Sequence, residues 1–549
     1  MNFDVSKHSD MDEPQIEEVK KNFAESPLLE GIENPEKNPS TSNVPSYRVI
    51  NEVGGDGNYQ KLVLIGFLLP AIGIFLFASA FQNLTLIPNF LCQKTFDEKS
   101  NYFSCQIAQV CSKNYNIKID EKSSLNNWVY DFNFYCDYET VQNYLIVMLG
   151  IGVIIGSALF ISLGDRFGRK ILLVISSFCS AILSLVTIFL HSVFLLEVIC
   201  LLQGILMTIF MALFIVYMVE ISSINARASY ASYALCSLPI SGIVNELIMH
   251  ISNSWKITFV VNIIFILVMV FYLMYIVESP RFLISRGEYS YSKVHLLLIA
   301  KCNRKQITEI SIQGENMTVN PEYLYSQDLR NNNLFIMLEL FSPNNLIKSI
   351  TIFAQSFCLS ILFAGIGFVS IPLFQSIYFN NLFNYTLDII NIILTGFLIW
   401  FLGRKYAIFL GVIISAGLTI LSFFFGFISE MYYGAAIWLT RIFCVASFTA
   451  NKIYCIELFP TRVRSSGASI VFFASGIGII ASFYLSKIPL QIQYIFGILG
   501  LFSIFIMTYL VETNGVELKE DFNDRINEKS MNNEGLDLKI NQFQNYKND

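Results

Sequence analysis

Twelve apolar segments, each near 20 residues long, dominate this 549-residue sequence. The hydrocarbon core of a bilayer is about 30 Å thick and needs a helix of about 20 residues to cross it. Only 14% of the residues are charged, against about 25% in soluble domains. We therefore predict an all-α membrane protein with 12 transmembrane helices in two six-helix halves. The segments lie at about 61–82, 142–163, 171–190, 194–219, 229–250, 257–277, 349–371, 382–401, 406–427, 431–455, 466–486 and 489–511.

Polar stretches divide the chain into parts. Both ends are acidic and poor in large apolar residues, which is typical of disordered tails. The net charge of -6 comes from these ends and does not indicate a nucleic-acid partner. The predicted parts are a disordered cytoplasmic tail (1–58), a first half (59–277) with an extracellular cysteine loop (84–140), a cytoplasmic central loop (278–346), a second half (347–511) and a cytoplasmic tail (512–549).

The charges of the short loops predict the orientation. Loops assigned to the inside carry Arg166, Arg169, Lys170, Arg227, Arg404, Lys405, Arg462 and Arg464. Those assigned to the outside carry Lys256, Lys487 and His191 but no arginine. Because basic residues accumulate in cytoplasmic loops, both termini are predicted to be cytoplasmic.

Short charged patterns recur between the two halves. The run Gly-Arg-Lys at 168–170 returns 235 residues later at 403–405. A Glu and an Arg seven residues apart, Glu220 and Arg227, return 237 residues later as Glu457 and Arg464. This registered repetition predicts two halves related by a parallel repeat, with a ligand site between them and a rocking motion.

Four motifs together resemble the major facilitator superfamily, in particular its organic cation/anion/zwitterion (solute carrier 22-like) transporter family. They are 164–170 (GDRFGRK), 278–283 (ESPRFL), 457–464 (ELFPTRVR) and 512–515 (ETNG). The four-cysteine loop resembles that family's extracellular domain, which the sugar-transporter branch lacks. The resemblance implies a plasma-membrane carrier of small organic ions, by facilitated diffusion or exchange, and no enzyme.

Other functions stay open at this point. One alternative is a proton-coupled sugar or nutrient symporter of the same fold, with Asp388 or Glu246 as its proton site. Another is a non-transporting, receptor-like relative. No nucleotide-binding loop is present, and no cofactor or metal is expected. The sequence indicates no oligomeric state.

Charged residues at the inner helix ends predict a gate that must break its ion pairs to open inward. We expect Glu220 to pair with Arg227, and Glu457 with Arg462 or Arg464. The second half has Trp400 and Phe401 where the first has Asp165 and Arg166, so its motif is incomplete. The predicted gate residues are Gly164, Asp165, Arg166, Gly168, Arg169, Glu220, Arg227, Gly403, Arg404, Glu457, Arg462 and Arg464.

Polar and aromatic residues within spans predict a substrate cavity, because a charge in hydrocarbon is costly unless it is functional or paired. Lys452 is expected either to receive an anionic substrate or to neutralise Asp388. An aromatic wall suits flat organic ions. The predicted cavity residues are Asp388, Lys452, Arg441, Phe363, Phe357, Phe214 and Tyr217. Glu246 and His250, one helical turn apart, predict a polar patch near the outer surface, or alternatively a proton relay.

The loop cysteines Cys92, Cys105, Cys111 and Cys136 predict two disulfides, with three possible pairings. Free thiols are the alternative, and a zinc site is disfavoured because no histidine accompanies them. Asn83-Leu84-Thr85 forms a glycosylation sequon close to the membrane.

Overall fold

The structure is a computed structural model of the whole chain. It describes residues 41–44, 49–94, 102–105, 107–111, 115–120, 124–273, 275–305, 307, 309–312, 336–369, 376–426, 430–487, 494–516 and 518. Most of both predicted tails and part of the central loop lie outside these residues.

Helices form almost all of the described chain. The first group is α1 Val49–Glu52, α2 Asn58–Leu84, α3 Ile107–Val110, α4 Trp128–Phe132, α5 Tyr138–Ile155, α6 Gly164–Phe167, α7 Arg169–Ile188, α8 Val193–Ile221, α9 Arg227–Leu235, α10 Ser237–Ser252 and α11 Trp255–Leu273. The central loop holds α12 Pro280–Ser285 and α13 Tyr289–Cys302. The second group is α14 Pro343–Val369, α15 Ile377–Leu402, α16 Arg404–Gly426, α17 Glu430–Glu457, α18 Arg464–Ser486 and α19 Tyr494–Met507.

Ten candidate spans occur among the described helices, each long and apolar enough to cross a membrane. Two shorter apolar helices, Trp255–Met269 and Tyr494–Met507, lie where the sequence predicts the sixth and twelfth spans. The second span is irregular: a π-helical turn, Gly156–Phe160, and a 3₁₀ turn, Ile161–Leu163, connect α5 to α6. Further 3₁₀ turns are Ile336–Phe341 and Thr461–Val463.

Contacts between helices fall into two groups with two seams. In the first group, α2 packs on α10 and α11, and α5 on α8. In the second group, α16 packs on α17, and α14 on α18 and α19. The seams are α10 against α15 and α5 against α18. Gly242 permits the first seam, because a Cβ there would lie 2.6 Å from the Tyr385 ring.

The cysteine loop folds onto a three-stranded antiparallel sheet in the order β3-β2-β4, with β2 Phe90–Lys94, β3 Phe103–Cys105 and β4 Tyr115–Ile119. Disulfides join Cys92 to Cys105 and Cys111 to Cys136. The sequence predicted two bridges without their pairing, and the structure selects this one of the three arrangements.

The end of the N-terminal tail is ordered, which corrects the prediction of disorder up to residue 58. Strand β1, Thr41–Val44, pairs in parallel with β5, Glu309–Ile312, from the central loop. Nearer the membrane, Ser223 N–H donates to the carbonyl of Gly55. The Asn303 amide donates to the carbonyls of Val53 and Gly54. These bonds fix the segment before α2 to the loops of the first group.

Candidate functional site

Two glycine turns build one end of the helix groups, called the inner end here after the predicted orientation. Gly168 and Gly403 precede α7 and α16 with φ of +96° and +91°, the left-handed region that favours glycine. In the first turn, the Glu278 carboxylate accepts from the amides of Arg169 and Lys170. In the second, Glu512 accepts in the same way from the amides of Arg404 and Lys405.

These carboxylates also explain why the turns need glycine. A Cβ on Gly168 would lie 2.4 Å from Glu278 Oε2. Burial raises the pKa of Glu278, which lies in the loop beyond α11, while its hydrogen bonds to amides of Ser279, Arg169 and Lys170 act in the opposite direction. In each group, one helix therefore begins at a partly buried acid that follows the last span.

Within each group, the arginine of the turn binds an acid at the end of a long helix. Arg169 donates to Glu220 on α8 at 3.0 Å. Arg404 pairs with Glu457 on α17 at 3.0 Å. The two pairs occupy matching positions in the repeat, and all four side chains are almost fully buried. The inner end thus carries the same ion pair in both groups.

Between the groups, the same two acids bind arginines of the opposite group. Arg464 donates to Glu220 at 3.2 Å, and Arg227 pairs with Glu457 at 2.9 Å. The predicted pairings, Glu220 with Arg227 and Glu457 with Arg462 or Arg464, are therefore wrong. Residues seven apart were expected to pair along one connection, but the fold exchanges the partners across the interface.

Asp165 adds a contact that has no counterpart in the second group among the described residues. Its carboxylate accepts from the amides of Ser465 and Ser466 and from the Ser466 hydroxyl, at 2.7–3.0 Å. These amides begin α18, so the carboxylate compensates the positive end of that helix dipole. Trp400, at the matching position of the second group, is 55% exposed. The incomplete motif therefore leaves the inner closure asymmetric.

Two predicted gate residues lie at the edge of this cluster. Arg462 pairs with Glu339, which is partly exposed, at 3.0 Å. The Arg166 guanidinium lies 5.2 Å from the ring centroid of Phe167. The backbone carbonyl of Arg166 accepts a hydrogen bond from the Arg286 guanidinium. Among the described residues, the structure gives Arg166 no buried acid, so its predicted place in the ion-pair cluster is corrected. Gly164 packs against Leu213 and Ser465 at the same interface.

A second closure lies at the opposite end, called the outer end, where the sequence predicted a polar patch near the surface or, alternatively, a proton relay. Glu246 on α10 is 2% exposed. Its Oε1 accepts from Asn83 on α2 at 2.9 Å and from Asn381 on α15 at 3.1 Å. Its Oε2 has no hydrogen-bond partner among the described residues. Asn83, the sequon residue, is buried in this contact, whereas His250 is exposed beside Tyr378.

The charged cavity candidates separate into a pair and a single lysine. Asp388 on α15 accepts two hydrogen bonds from Arg441 on α17, at 2.6 and 3.1 Å. Lys452 therefore does not neutralise Asp388, which removes one of its two predicted roles. The Lys452 ammonium instead lies over the rings of Phe472 and Phe448.

The aromatic candidates lie in both groups. Phe214 and Tyr217 pack around Phe67, and Tyr217 also donates to the carbonyl of Val277. In the second group, Phe363 stacks on Phe448, and Phe357 stacks on Phe353. A cleft of about 400 Å³ lies between α14, α18, the π-helical turn after α5 and the 3₁₀ turn before α14. Its apolar lining is Ala158, Phe341, Ile350, Phe353, Ile470 and Phe473, with Ser349 and Ser469.

Sequence reasoning missed several residues of these sites. The sequence indicates a glycosylation sequon at Asn83 and no role for Asn381. A polar amide within or beside an apolar segment is nevertheless a signal of a functional or interhelical contact. Phe448 and Phe472 had no signal beyond their number, because the chain contains 49 phenylalanines. The exchanged ion pairs depend on the interface between the groups, which spacing along the chain does not encode.

Comparisons with known proteins match this chain to membrane transporters. The family model described as sugar (and other) transporter matches residues 100–522. Human organic cation/carnitine transporter 2 is 23% identical over 435 residues, 75% of this chain and 76% of the relative. Mouse solute carrier family 22 member 4 is 24% identical over 428 residues, 74% and 75% of the two chains. These relatives confirm the family resemblance drawn from the motifs.

Solved structures share the fold at low identity. The proton:xylose symporter XylE of the major facilitator superfamily has a TM-score of 0.58 at 17% identity, covering 84% of this chain and 97% of its own. The human organic anion transporter MFSD10 has a TM-score of 0.52 at 11% identity, covering 85% and 100%. The chain therefore belongs to the sugar (and other) transporter family, and is a multi-pass membrane transporter of the major facilitator fold rather than an enzyme.

Proposed function

We propose that this protein carries small organic ions across the plasma membrane by alternating access, through facilitated diffusion or exchange. One observation carries the proposal: the acids Glu220 and Glu457 each bind an arginine of their own group and one of the other. Such a cluster closes the inner end and must break when the groups move apart. The names of the relatives, which include organic cation/carnitine transporters, support the substrate class.

The proposed architecture has twelve spans in two six-helix halves, 59–277 and 347–511, with the central loop and both tails in the cytoplasm. The disulfide-bonded loop follows the C-terminal end of α2, while the ordered tail segment precedes its N-terminal end. Disulfides form in oxidising compartments, which supports an extracellular loop. We propose that the predicted gate residues open and close the inner end and that the predicted cavity residues line the substrate site. The contacts correct two of these roles, the ion pair of Arg166 and the neutralisation of Asp388 by Lys452.

Uptake into proteoliposomes tests this function. Purified protein is reconstituted and supplied with a radiolabelled model cation, a model anion and carnitine in parallel. We expect saturable uptake of at least one probe without ATP, and acceleration when the same probe is preloaded inside. Binding of a probe without flux would instead support the receptor-like alternative.

A proton-coupled symporter is the second candidate, because Glu246 is a buried carboxylate that faces two neutral amides. Uptake that accelerates at acid external pH and collapses with a protonophore would favour it. Uptake unaffected by the protonophore would favour facilitated diffusion or exchange.

A further inference from the structure

An aromatic box in the second helix group is occupied by a side chain of the protein itself. The Lys452 ammonium on α17 lies 3.8 Å from the ring centroid of Phe472 on α18. It lies 4.6 Å from the ring centroid of Phe448, one helical turn earlier on α17. The Phe448 ring stacks in parallel on Phe363 of α14, with centroids 4.3 Å apart. The rings of Phe448 and Phe472, on α17 and α18, thus flank one positive charge, and Phe363 of α14 stacks on the first of them.

No carboxylate of the described residues compensates this charge. Of the acids in the neighbouring spans, Asp388 accepts two hydrogen bonds from Arg441. Glu457 is bound by Arg227 and Arg404. Lys452 is nevertheless only 7% exposed. It is a buried ammonium that lies over two ring faces and near the Cys455 thiol.

Ring faces meet only part of the requirements of an ammonium. They attract the charge through their quadrupole, but the three N–H donors of lysine still need oxygen acceptors. An ionised residue kept inside a span without an ion partner indicates a functional site. An anion could supply these acceptor oxygens.

The position of Lys452 places that anion close to the gate. Lys452 precedes Glu457 by five residues on the same helix, a rise of about 7.5 Å along the axis. A ligand bound at Lys452 would therefore lie directly above the inner ion-pair cluster.

We propose that Lys452 binds an anionic group of the substrate, a carboxylate or sulfonate. The proposal deepens, and rests on, the carrier function given above. The same geometry disfavours cations at this place, because the box that would hold a substrate ammonium already contains the lysine. A single residue of α17, Lys452, thereby makes the site selective for anions.

Thermal unfolding of the purified protein with three probes of similar size tests the proposal. The probes are benzoate, benzyltrimethylammonium and benzyl alcohol. We expect benzoate to stabilise the wild type most. Lys452→Met should weaken benzoate binding at least tenfold and introduce stabilisation by benzyltrimethylammonium, because the box becomes vacant. Lys452→Arg should retain benzoate binding.

Lys487→Met is the matched control. Lys487 also lies over a phenylalanine, Phe483, at 4.6 Å, but it is exposed at the end of α18. This variant should bind all three probes like the wild type. If Lys452→Met fails to fold, Lys452→Gln replaces it, with the same expectations.

Two results would overturn the proposal. One is benzoate binding that changes less than twofold in a folded Lys452→Met or Lys452→Gln variant. The other is a wild type stabilised by the cation and not by benzoate at millimolar concentration. Flux in proteoliposomes separates this test from that of the carrier function. Lys452-dependent benzoate binding without flux refutes the carrier alone, whereas flux with a profile independent of Lys452 refutes the anion site alone.

Discussion

Arg227 binds Glu457 across the interface of the two helix groups at 2.9 Å, although Glu220, seven residues before it on the chain, is its predicted partner. Glu220 binds Arg464 instead, at 3.2 Å. The exchange is reciprocal, so each group contributes one acid and one arginine to the other. Ion pairs confined to one group would survive a rocking motion, but exchanged pairs cannot. The inner end is therefore closed by contacts that report on the relative position of the groups.

Removing one exchanged arginine should open the inner end. In Arg227→Gln, Glu457 still pairs with Arg404 of its own group but no longer pairs with an arginine of the opposite group. Removing one partner of a buried pair costs about 3 kcal/mol at the low end, which shifts the closed-to-open equilibrium roughly a hundredfold. The native thiol of Cys455, fully buried close to Glu457 on α17, serves as reporter. Its labelling by an impermeant maleimide in inside-out vesicles should accelerate strongly.

Arg462→Gln is the control for this measurement. Arg462 pairs with Glu339, whose side chain is 36% exposed, and exposed pairs contribute about 0–1 kcal/mol. Cys455 labelling should stay close to the wild-type rate in this variant. Equal acceleration in both variants would mean that the exchanged pairs do not close the inner end.

Asp165 and Arg166 should differ in their effect on transport, although they are adjacent in the motif. Asp165 also pairs with Arg169 at 3.1 Å, and both side chains are fully buried. Asp165→Asn removes this pair and the charge that compensates the start of α18, a loss of about 2–3 kcal/mol. We expect initial uptake in proteoliposomes to fall about tenfold or more, with the half-saturating concentration within a few-fold. Arg166→Gln should transport normally. A comparable loss in both variants would contradict the contacts described for Asp165.

The fold was predictable because its signals are local. A span needs only about 20 apolar residues, and the repeat of Gly168 at Gly403 follows from a turn that requires a positive φ. The loop cysteines indicated bridges because they share one polar segment. Their pairing depends on how β2 and β3 align, with Cys92 opposite Phe103, and that register is not visible in cysteine spacing.

The contacts between the groups were not predictable in the same way. Glu220 and Glu457 were identified as gate residues, but their partners were wrong, because the choice depends on two helices brought together by the fold. Glu246 was assigned to the surface since its segment ends nearby, yet the α10–α15 seam covers it. The N-terminal segment was predicted to be disordered from its composition, which does not reveal the Asn303 side chain that binds it.

Mass-spectrometric mapping under non-reducing conditions should find the bridges Cys92–Cys105 and Cys111–Cys136. The second bridge encloses 25 residues, and a loop of that length is worth about 3 kcal/mol in the chain-entropy description. Replacing Cys111 and Cys136 together by serine should therefore lower the unfolding temperature. The paired replacement of the half-buried Cys179 and the buried Cys200, which form no bridge, serves as a comparison for thiol removal. Any other connectivity in the peptide map would refute the loop structure.

Neutralising Glu246 should stabilise the closed outer end. In Glu246→Gln, the side-chain oxygen can still accept from Asn83 and Asn381, but the unpaired negative charge between the groups is gone. Leaving a buried group unsatisfied costs about 1–3 kcal/mol, so outward opening should become at least about fivefold rarer. The variant Ser79→Cys reports opening of the outer end. Ser79 is buried on α2, where its carbonyl accepts a hydrogen bond from Tyr385, and an impermeant thiol reagent added outside can reach the new thiol only when the outer end opens. Slower labelling is expected in Glu246→Gln. The control His250→Gln alters an exposed residue one turn away and should be labelled at the unchanged rate. Faster labelling in Glu246→Gln would show that the carboxylate itself holds the outer end shut.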